Sequence, residues 1–259
     1  MLRGLRNFYR KERQVKYEEL EGVRRSDLWL MHISPYHFKY RIDHPQEQTP
    51  TLALGSMIHK YILEPDTFFD EYAIAPEIDR RTKAGKEEYN AFVESLGDKE
   101  AVSVTDYEIA REMSAAIPDE VRKLFEGKKE EPIVWTDPQT GEICKCRADV
   151  IGDGIIVDYK TTTSCQDGHF ERSCKAYGYK FQAGMYCEGM FQNTLEDYGF
   201  VFVAQEKTAP YAVRVYYCDK DFIREGQEQF REFINLFHEC KQKGEWPGYT
   251  STELLADGE

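Results

Sequence analysis

Two short segments of the sequence place acidic and basic side chains at a spacing that suits metal-dependent hydrolysis. Residues 146–151 (CRADVI) and 155–162 (IIVDYKTT) flank a Gly-Asp-Gly turn and predict a β-hairpin. Because side chains alternate between the two faces of a strand, Asp158 and Lys160 share one face, and Asp149 lies on the matching face of the first strand. Two carboxylates and an ammonium group in this arrangement predict a site that holds a divalent cation beside a phosphodiester.

The hairpin alone is also compatible with an ordinary solvated ion pair on an edge strand. Two predicted helices favour the functional interpretation. The helix over residues 51–64 has an apolar stripe at four-residue steps and places His59 on a neighbouring face. A second helix, which begins near residue 179, places Gln182 and Tyr186 one turn apart. We expect both helices to line the hairpin.

Taken in order, these motifs resemble those of the PD-(D/E)XK nuclease superfamily. They are Gly55-x-x-x-His59, Asp149, Asp158-x-Lys160 and Gln182-x-x-x-Tyr186. The resemblance is strongest to the RecB-like branch and, within it, to the RecE-like group, which includes the nuclease domain of exonuclease VIII and its phage homologues. It covers about residues 26 to 190. Ala148 stands where the superfamily name has proline, a position that varies among such nucleases.

The resemblance implies a role for each residue of the central group. His59, Asp149, Asp158 and the backbone carbonyl of Tyr159 would bind Mg²⁺, and the histidine makes Mn²⁺ an expected substitute. Lys160 would orient or deprotonate the attacking water and neutralise charge that develops on the phosphate. A purely structural role for His59, as a capped or half-buried helix residue, stays open.

Further residues are candidates for binding DNA or for supporting the metal ligands. Gln182 and Tyr186 would hold the DNA strand or a water near the metal, or else pack within their helix. Arg147 shares the predicted face of Asp149 and would contact phosphate or balance the charge of the carboxylate. Glu131 is a weaker candidate ligand, because a carboxylate at the start of a strand is usually exposed. A basic segment would contact DNA or form a solvated loop, and it contains Arg80, Arg81, Lys83 and Lys86.

The net charge of −13 argues against a uniformly basic DNA-binding surface. The positive charge is instead local. Residues 1–16 carry six basic residues and one acid, and residues 80–86 carry four basic residues and no acid. We therefore predict a local basic track that leads to the acidic site on an otherwise negative protein.

The seven cysteines show no repeated close pairs, which predicts reduced thiols and a cytoplasmic protein in a bacterial host. We expect neither a signal peptide nor a membrane-spanning segment. An iron–sulfur cluster, found in some RecB-like nucleases, is not expected, because no cysteine precedes Cys144 and because Cys144 and Cys146 face away from Asp149.

The order of predicted elements indicates an α/β protein with a restriction-endonuclease-like core, in which a mixed central sheet is flanked by helices, plus an N-terminal helical elaboration. We predict one nuclease domain over residues 1–259. Residues 1–127 would be mainly helical and carry the His59 motif, residues 128–243 would form the α/β core, and residues 244–259 would fray.

The function implied by the resemblance is a Mg²⁺-dependent double-stranded DNA exonuclease that degrades the 5′ strand of linear duplex and leaves 3′ tails for phage-type recombination. It also implies a homo-oligomeric ring, expected to be a tetramer, that acts on DNA ends with a single-strand annealing protein of the RecT type. Two alternatives stay open. One is a RecB-like nuclease of other polarity or substrate, such as a single-strand nuclease or an endonuclease, and the other is a non-catalytic DNA-end-binding protein.

Overall fold

A mixed six-stranded sheet with helices on both faces organises the protein, as predicted from the element order. The computed structural model describes residues 17–45 and 49–249, so the basic residues predicted within 1–16 lie outside the described part. The strands of the main sheet are β1 (Val23–Arg24), β4 (Lys128–Thr136), β5 (Ile143–Ile151), β6 (Ile155–Thr162), β7 (Gly199–Glu206) and β8 (Val213–Tyr217), and a separate parallel pair consists of β2 (Tyr72–Ile74) and β3 (Glu100–Val102).

The described part of the chain before residue 127 is mainly helical. It contains α1 (Arg25–Leu28), α2 (Pro35–Asp43), α3 (Pro50–Leu63), α4 (Phe68–Glu71), α5 (Lys83–Ser95), α6 (Val104–Ala115) and α7 (Asp119–Arg122). Three helices follow within the sheet region: α8 (His169–Tyr177), α9 (Tyr179–Thr194) and α10 (Lys220–Lys243). The two helices between β6 and β7 connect strands that pair in parallel, which is the usual role of a helical crossover.

Strand β5 has different partners along its length, and this arrangement shapes the site. One edge pairs with β4 in antiparallel fashion almost throughout. The other edge pairs with β6 only at Val150 and Ile151, and with the short β1 at Cys144 and Lys145. The predicted hairpin is therefore present, but its two strands separate after two paired positions. Residues 146–149 have no strand partner on that edge within the described part of the chain.

Two hydrophobic clusters cover the two faces of the sheet. The first includes Phe181, Phe200 and Phe230 and packs beneath α9 and α10. The second includes Ile58 and Val157 and packs beneath α3 and α6. Burial of these side chains provides the main driving force for folding, on the order of 25 cal/mol per Å² of apolar surface removed from water.

Helices α9 and α10 approach closely because glycines face each other where they cross. A methyl group at Gly184 would lie 2.0 Å from the backbone carbon of Gly226. The absence of side chains at this crossing lets α9 lie deep against the sheet, with most of its residues buried. This depth positions the first turn of α9 beside β6.

The end of the chain is more ordered than predicted. Residues 244–249, which we expected to fray, lie against α2, where the ring of Trp246 stacks on Phe38 with centroids 5.3 Å apart. The Tyr36 amide donates to the Pro247 carbonyl. The rest of the predicted frayed segment, residues 250–259, lies outside the described residues. Within the described part, no helix is both long enough and apolar enough to cross a membrane.

Candidate metal centre

Helix α3 presents His59 to the sheet. The helix begins after Thr49, whose side-chain oxygen accepts a hydrogen bond from the Leu52 amide. Ile58 and Ile62 are buried in the second hydrophobic cluster, as the apolar stripe predicted, and they fix the rotation of the helix. His59, next to this stripe, reaches over the strands and keeps 25% of its side chain exposed.

Two oxygen atoms converge on the same nitrogen of His59. Its Nε2 atom lies 2.9 Å from Asp149 Oδ2 and 3.2 Å from the backbone oxygen of Tyr159. The two oxygens belong to residues 90 and 100 positions away in the chain. The structure thus brings together three of the four predicted ligand groups.

Asp149 occupies the point at which β5 and β6 separate. Its Oδ2 atom accepts a hydrogen bond from the Tyr159 amide at 2.7 Å, so the carboxylate replaces a backbone partner that the strand pairing no longer supplies. Ala148 packs into the first hydrophobic cluster and Val150 into the second, although they are two residues apart on one strand. The strand therefore changes its buried face at Asp149, which simple alternation did not predict.

Glu130 is the site residue that the sequence analysis missed. The structure groups its carboxylate with His59 and Asp149, as three side chains able to hold a metal ion, while the neighbouring Glu131 is exposed. Glu130 Oε1 lies 3.4 Å from His59 Nδ1, and Oε2 lies 2.9 Å from Arg147 Nε. Arg147 therefore balances a carboxylate of the site, but that carboxylate belongs to Glu130 and not to Asp149.

The backbone of Glu130 departs from regular strand geometry. Its φ angle is +52°, in the left-handed region that non-glycine residues rarely adopt. It lies on β4 between Lys129 and Glu131, which pair normally with Val150 and Ala148. A backbone held in this conformation costs on the order of 1–2 kcal/mol and is often found at functional sites. The only sequence signal was an acidic pair at the start of a predicted strand.

Asp158 and Lys160 share a face of β6, as predicted, and form a pair beside the three converging groups. Asp158 is 2% exposed, and its Oδ1 atom lies 2.5 Å from Lys160 Nζ. Its Oδ2 atom accepts a short hydrogen bond from the side-chain amide of Gln182, which the first turn of α9 provides. Asp158 is not among the residues grouped around His59. Its role as a metal ligand stays a prediction.

The charged groups of the site shift the pKa values of one another. Burial lowers the pKa of His59, but the carboxylates of Asp149 and Glu130 outweigh it and raise that pKa to about 10. Burial raises the pKa of Asp158 to about 6 against the effect of Lys160, with a further upward contribution from Asp149. Burial also opposes the charge of Lys160, yet Asp158 and Asp149 raise its pKa overall. At neutral pH His59 and Lys160 are therefore both cationic.

Tyr186 and the residues of the basic segment form no hydrogen bond or ion pair with the converging groups among the described residues. Tyr186 is buried in the first hydrophobic cluster beside Phe200, which corresponds to the packing alternative for this residue. The basic segment of residues 80–86 is largely exposed, and its side chains contact residues nearby in the sequence. Arg81 pairs with Asp79, Lys83 pairs with Glu87, and Arg80 lies over the ring of Tyr89. The prediction that Arg80, Arg81, Lys83 and Lys86 contact DNA remains untested.

The donor atoms suit a hard divalent cation. A carboxylate oxygen and a backbone carbonyl oxygen lie 2.9 Å and 3.2 Å from one imidazole nitrogen, Nε2 of His59. Mg²⁺ prefers oxygen ligands and Mn²⁺ tolerates an imidazole. In the metal-free protein the N–H group at Nε2 points at the two oxygens, so the imidazolium neutralises the charge that a cation would neutralise. His59, Asp149 and Tyr159 are therefore the residues that would hold the ion, with Glu130 on the other ring nitrogen.

The mixed sheet flanked by helices is that of a PDDEXK-like domain. The family model described as a PDDEXK-like domain of unknown function (DUF3799) matches residues 26–254, and the chain belongs to this family. This result confirms the predicted superfamily and fold class, whereas the resemblance to the RecE-like group stays a prediction.

Comparison with other proteins supports the same fold. A crystal structure of a candidate exonuclease from Eubacterium rectale shares 16% identity with this chain, covers 92% of it and 91% of its own length, and has a TM-score of 0.61. At this identity the similarity establishes the fold alone. A second solved structure, SSO0001, shares 13% identity over 71% of this chain and 86% of its own, with a TM-score of 0.30, which is too low to support an argument. No curated protein matches the chain.

Proposed function

We propose that this protein is a Mg²⁺-dependent exonuclease that degrades the 5′ strand of linear double-stranded DNA. The observation that carries the proposal is the convergence of His59, Asp149 and the Tyr159 carbonyl on one point beside Lys160. Such a group of donors is suited to bind a divalent cation, and a neighbouring ammonium group is suited to bind phosphate. A solvated ion pair on an edge strand would need neither the distant helix nor the burial of Asp158.

The residues of the site have distinct roles in this proposal. His59, Asp149 and the Tyr159 carbonyl would hold the ion, which when bound would lower the pKa of water and polarise the phosphate. Lys160 is protonated at neutral pH, because the carboxylates of Asp158 and Asp149 raise its pKa. It therefore donates hydrogen bonds to the attacking water or to a phosphate oxygen, and removal of a proton from water by Lys160 is disfavoured.

Two side chains hold this machinery in position. Gln182 donates to Asp158, which in turn lies against Lys160, so the first turn of α9 fixes the direction of the ammonium group. Glu130 faces the second ring nitrogen of His59, and a carboxylate in that place fixes the orientation of a metal-binding imidazole. Both partners would reduce the reorganisation that catalysis requires.

The exonuclease mode, the 5′ polarity and the assembly rest on the resemblance to RecE-like nucleases. On that basis we propose that the protein acts on DNA ends as a homo-oligomeric ring, expected to be a tetramer. We further propose that it generates 3′ tails for a single-strand annealing protein of the RecT type in phage recombination. The acidic surface implied by the net charge of −13 is compatible with brief, local contacts to duplex DNA.

The experiment that tests the proposal compares linear and covalently closed circular duplexes of the same sequence in Mg²⁺. We expect hydrolysis of the linear molecule only, release of nucleotides from the 5′-labelled strand, and loss of this activity in Lys160→Ala. Lys175→Ala, an exposed lysine on α8, is the matched control and should remain active.

The outcomes separate the alternatives. If circles were cut as readily as linear molecules, an endonuclease would replace the exonuclease. Faster loss of label from 3′ ends or from single strands would indicate a nuclease of other polarity or substrate. Tight binding of DNA ends without Mg²⁺-dependent hydrolysis would favour a non-catalytic end-binding protein.

A further inference from the structure

A cavity of about 310 Å³ adjoins the candidate metal centre on the side of Lys160. It lies between the last residues of β6, the inner side of α8 and the segment that follows β7. Its lining includes Lys160, Thr163, His169, Arg172, Tyr177 and Lys207. Water occupies roughly 30 Å³ per molecule in the liquid, so the cavity has room for a group the size of a nucleotide and exceeds the needs of a single small anion.

The charge of this cavity is opposite to that of the protein as a whole. Lys160, Arg172 and Lys207 line it together with His169, and none of the described residues that line it is acidic. Among the described residues, the side chains of Arg172 and Lys207 form no ion pair and donate no hydrogen bond. Most other arginines of the described chain form an ion pair or donate a hydrogen bond through the side chain. Two unneutralised cations beside one cavity are notable in a chain with a net charge of −13.

The remaining lining groups are also of the kinds that nucleic acids contact. Hydroxyl groups come from Thr163 and Tyr177, and the Thr163 hydroxyl lies 3.2 Å from Nε2 of His169. Nδ1 of the same histidine is buried and has no hydrogen-bond partner among the described residues. Tyr177 is 60% exposed at the edge of the cavity, where an aromatic ring can stack on a base.

We propose that this cavity binds the nucleotide next to the scissile bond, with its phosphate held by Arg172 and Lys207 and its base near Tyr177. The inference deepens the proposed nuclease function and rests on it. Lys160 lines the cavity and also lies 2.5 Å from Asp158, so a strand whose scissile phosphate lies at Lys160 has its neighbouring nucleotide at the cavity. The ligand is a phosphate group of the strand, either an internal phosphodiester or a terminal 5′-phosphate.

The test measures binding of fluorescent single-stranded oligonucleotides to the full chain in EDTA, where divalent-dependent hydrolysis is absent. One probe has a 5′-phosphate and the other a 5′-hydroxyl group. The variant Arg172→Gln with Lys207→Gln is compared with Lys175→Gln with Lys220→Gln. The control pair removes the same charge from two exposed lysines that do not line the cavity, one of them also on α8. Thermal unfolding verifies that both variants fold.

The cavity variant loses two phosphate contacts, so the plot of its log association constant against log salt concentration should be less steep by about 1.4. This change corresponds to about 25-fold weaker binding at 0.1 M salt. The control pair should leave affinity and slope unchanged. If the wild-type protein prefers the probe with a 5′-phosphate and the cavity variant loses that preference, the cavity binds the terminal phosphate. If the variant binds both probes equally more weakly, the cavity binds an internal phosphodiester.

The proposal is overturned if the cavity variant binds both probes as tightly as the control pair, or if the wild-type protein binds neither. Failure of the nuclease function is recognised separately, because it appears as absence of Mg²⁺-dependent hydrolysis while the effect of the cavity variant on binding persists.

Discussion

Binding of a divalent cation should release one proton, and His59 is its source. In the metal-free protein the imidazole carries charge because Asp149 and Glu130 face its two nitrogens, at 2.9 Å and 3.4 Å. A cation bound at Nε2 must replace the proton on that nitrogen, since a metal binds the neutral imidazole. The perturbation to apply is therefore pH.

The magnitude follows from the raised pKa of His59, about 10. At pH 7.5 about one imidazole in 300 is deprotonated, so competition with the proton weakens metal binding by up to ~300-fold, or about 3 kcal/mol. Because a quarter of the His59 side chain is exposed, solvent screening makes this figure an upper bound. The logarithm of the metal association constant should rise by about 1 per pH unit between pH 7 and 8.5.

Isothermal titration calorimetry with Mg²⁺ in buffers of different ionisation enthalpy counts the protons directly. We expect about one proton per ion at pH 7.5. Asp158 adds little there, because its pKa of about 6 leaves it ionised. His59→Gln is the control, and it should bind the metal more weakly and release almost no proton. Release close to zero in the wild-type protein, or unchanged release in His59→Gln, would refute this account of the site.

Further perturbations test the surroundings of the site. His59 has a raised pKa in the folded state, so its charge contributes stability that is full below about pH 6.5 and is lost as the pH rises through about 10. In urea denaturation without metal, the difference in the free energy of unfolding between the wild type and His59→Gln should therefore decrease from pH 7 to 10. A difference that stays constant over this range would contradict the prediction. Glu130→Gly should unfold with a free energy about 1–2 kcal/mol higher than Glu130→Ala, because only glycine adopts a φ of +52° without strain; equal stabilities would argue against strain at this position. Gln182→Ala should lower the free energy of unfolding by about 1–3 kcal/mol through the loss of a buried hydrogen bond to a carboxylate. Gln182→Glu should lower nuclease activity by more than its loss of stability accounts for. Gly184→Ala should lower the free energy of unfolding by about 1–3 kcal/mol, since its methyl group meets the backbone of α10 at 2.0 Å. Gly55→Ala on α3 is the control and should not destabilise the protein, because its methyl group meets no atom within 4 Å and its φ is not positive; an equal loss in both variants would contradict the steric reason.

Much of the fold could be predicted because local patterns determine it. The alternation along residues 155–162 placed Asp158 and Lys160 on one face, and both the ion pair and the buried faces of Ile156 and Val157 agree with it. The apolar stripe of α3 correctly placed His59 at the edge of the buried surface.

The details of the site depended on contacts between distant segments. Beyond the point where β5 separates from β6, the edge of β5 pairs with β1, a two-residue strand near the start of the described chain. The reversal of buried faces at Asp149 and the left-handed backbone of Glu130 both occur at this separation. Neither has a local sequence signature, and for that reason Glu131 was considered as a ligand while Glu130 was overlooked.

The central claim is that His59, Asp149 and the Tyr159 carbonyl hold one divalent cation. Anomalous X-ray diffraction from crystals soaked in Mn²⁺ tests it most directly, because the signal identifies the ion and its position together. The account predicts a peak within bonding distance of His59 Nε2, Asp149 Oδ2 and the Tyr159 oxygen, which is lost in His59→Gln crystals. A peak bound to other residues, or no peak at saturating Mn²⁺, would contradict it.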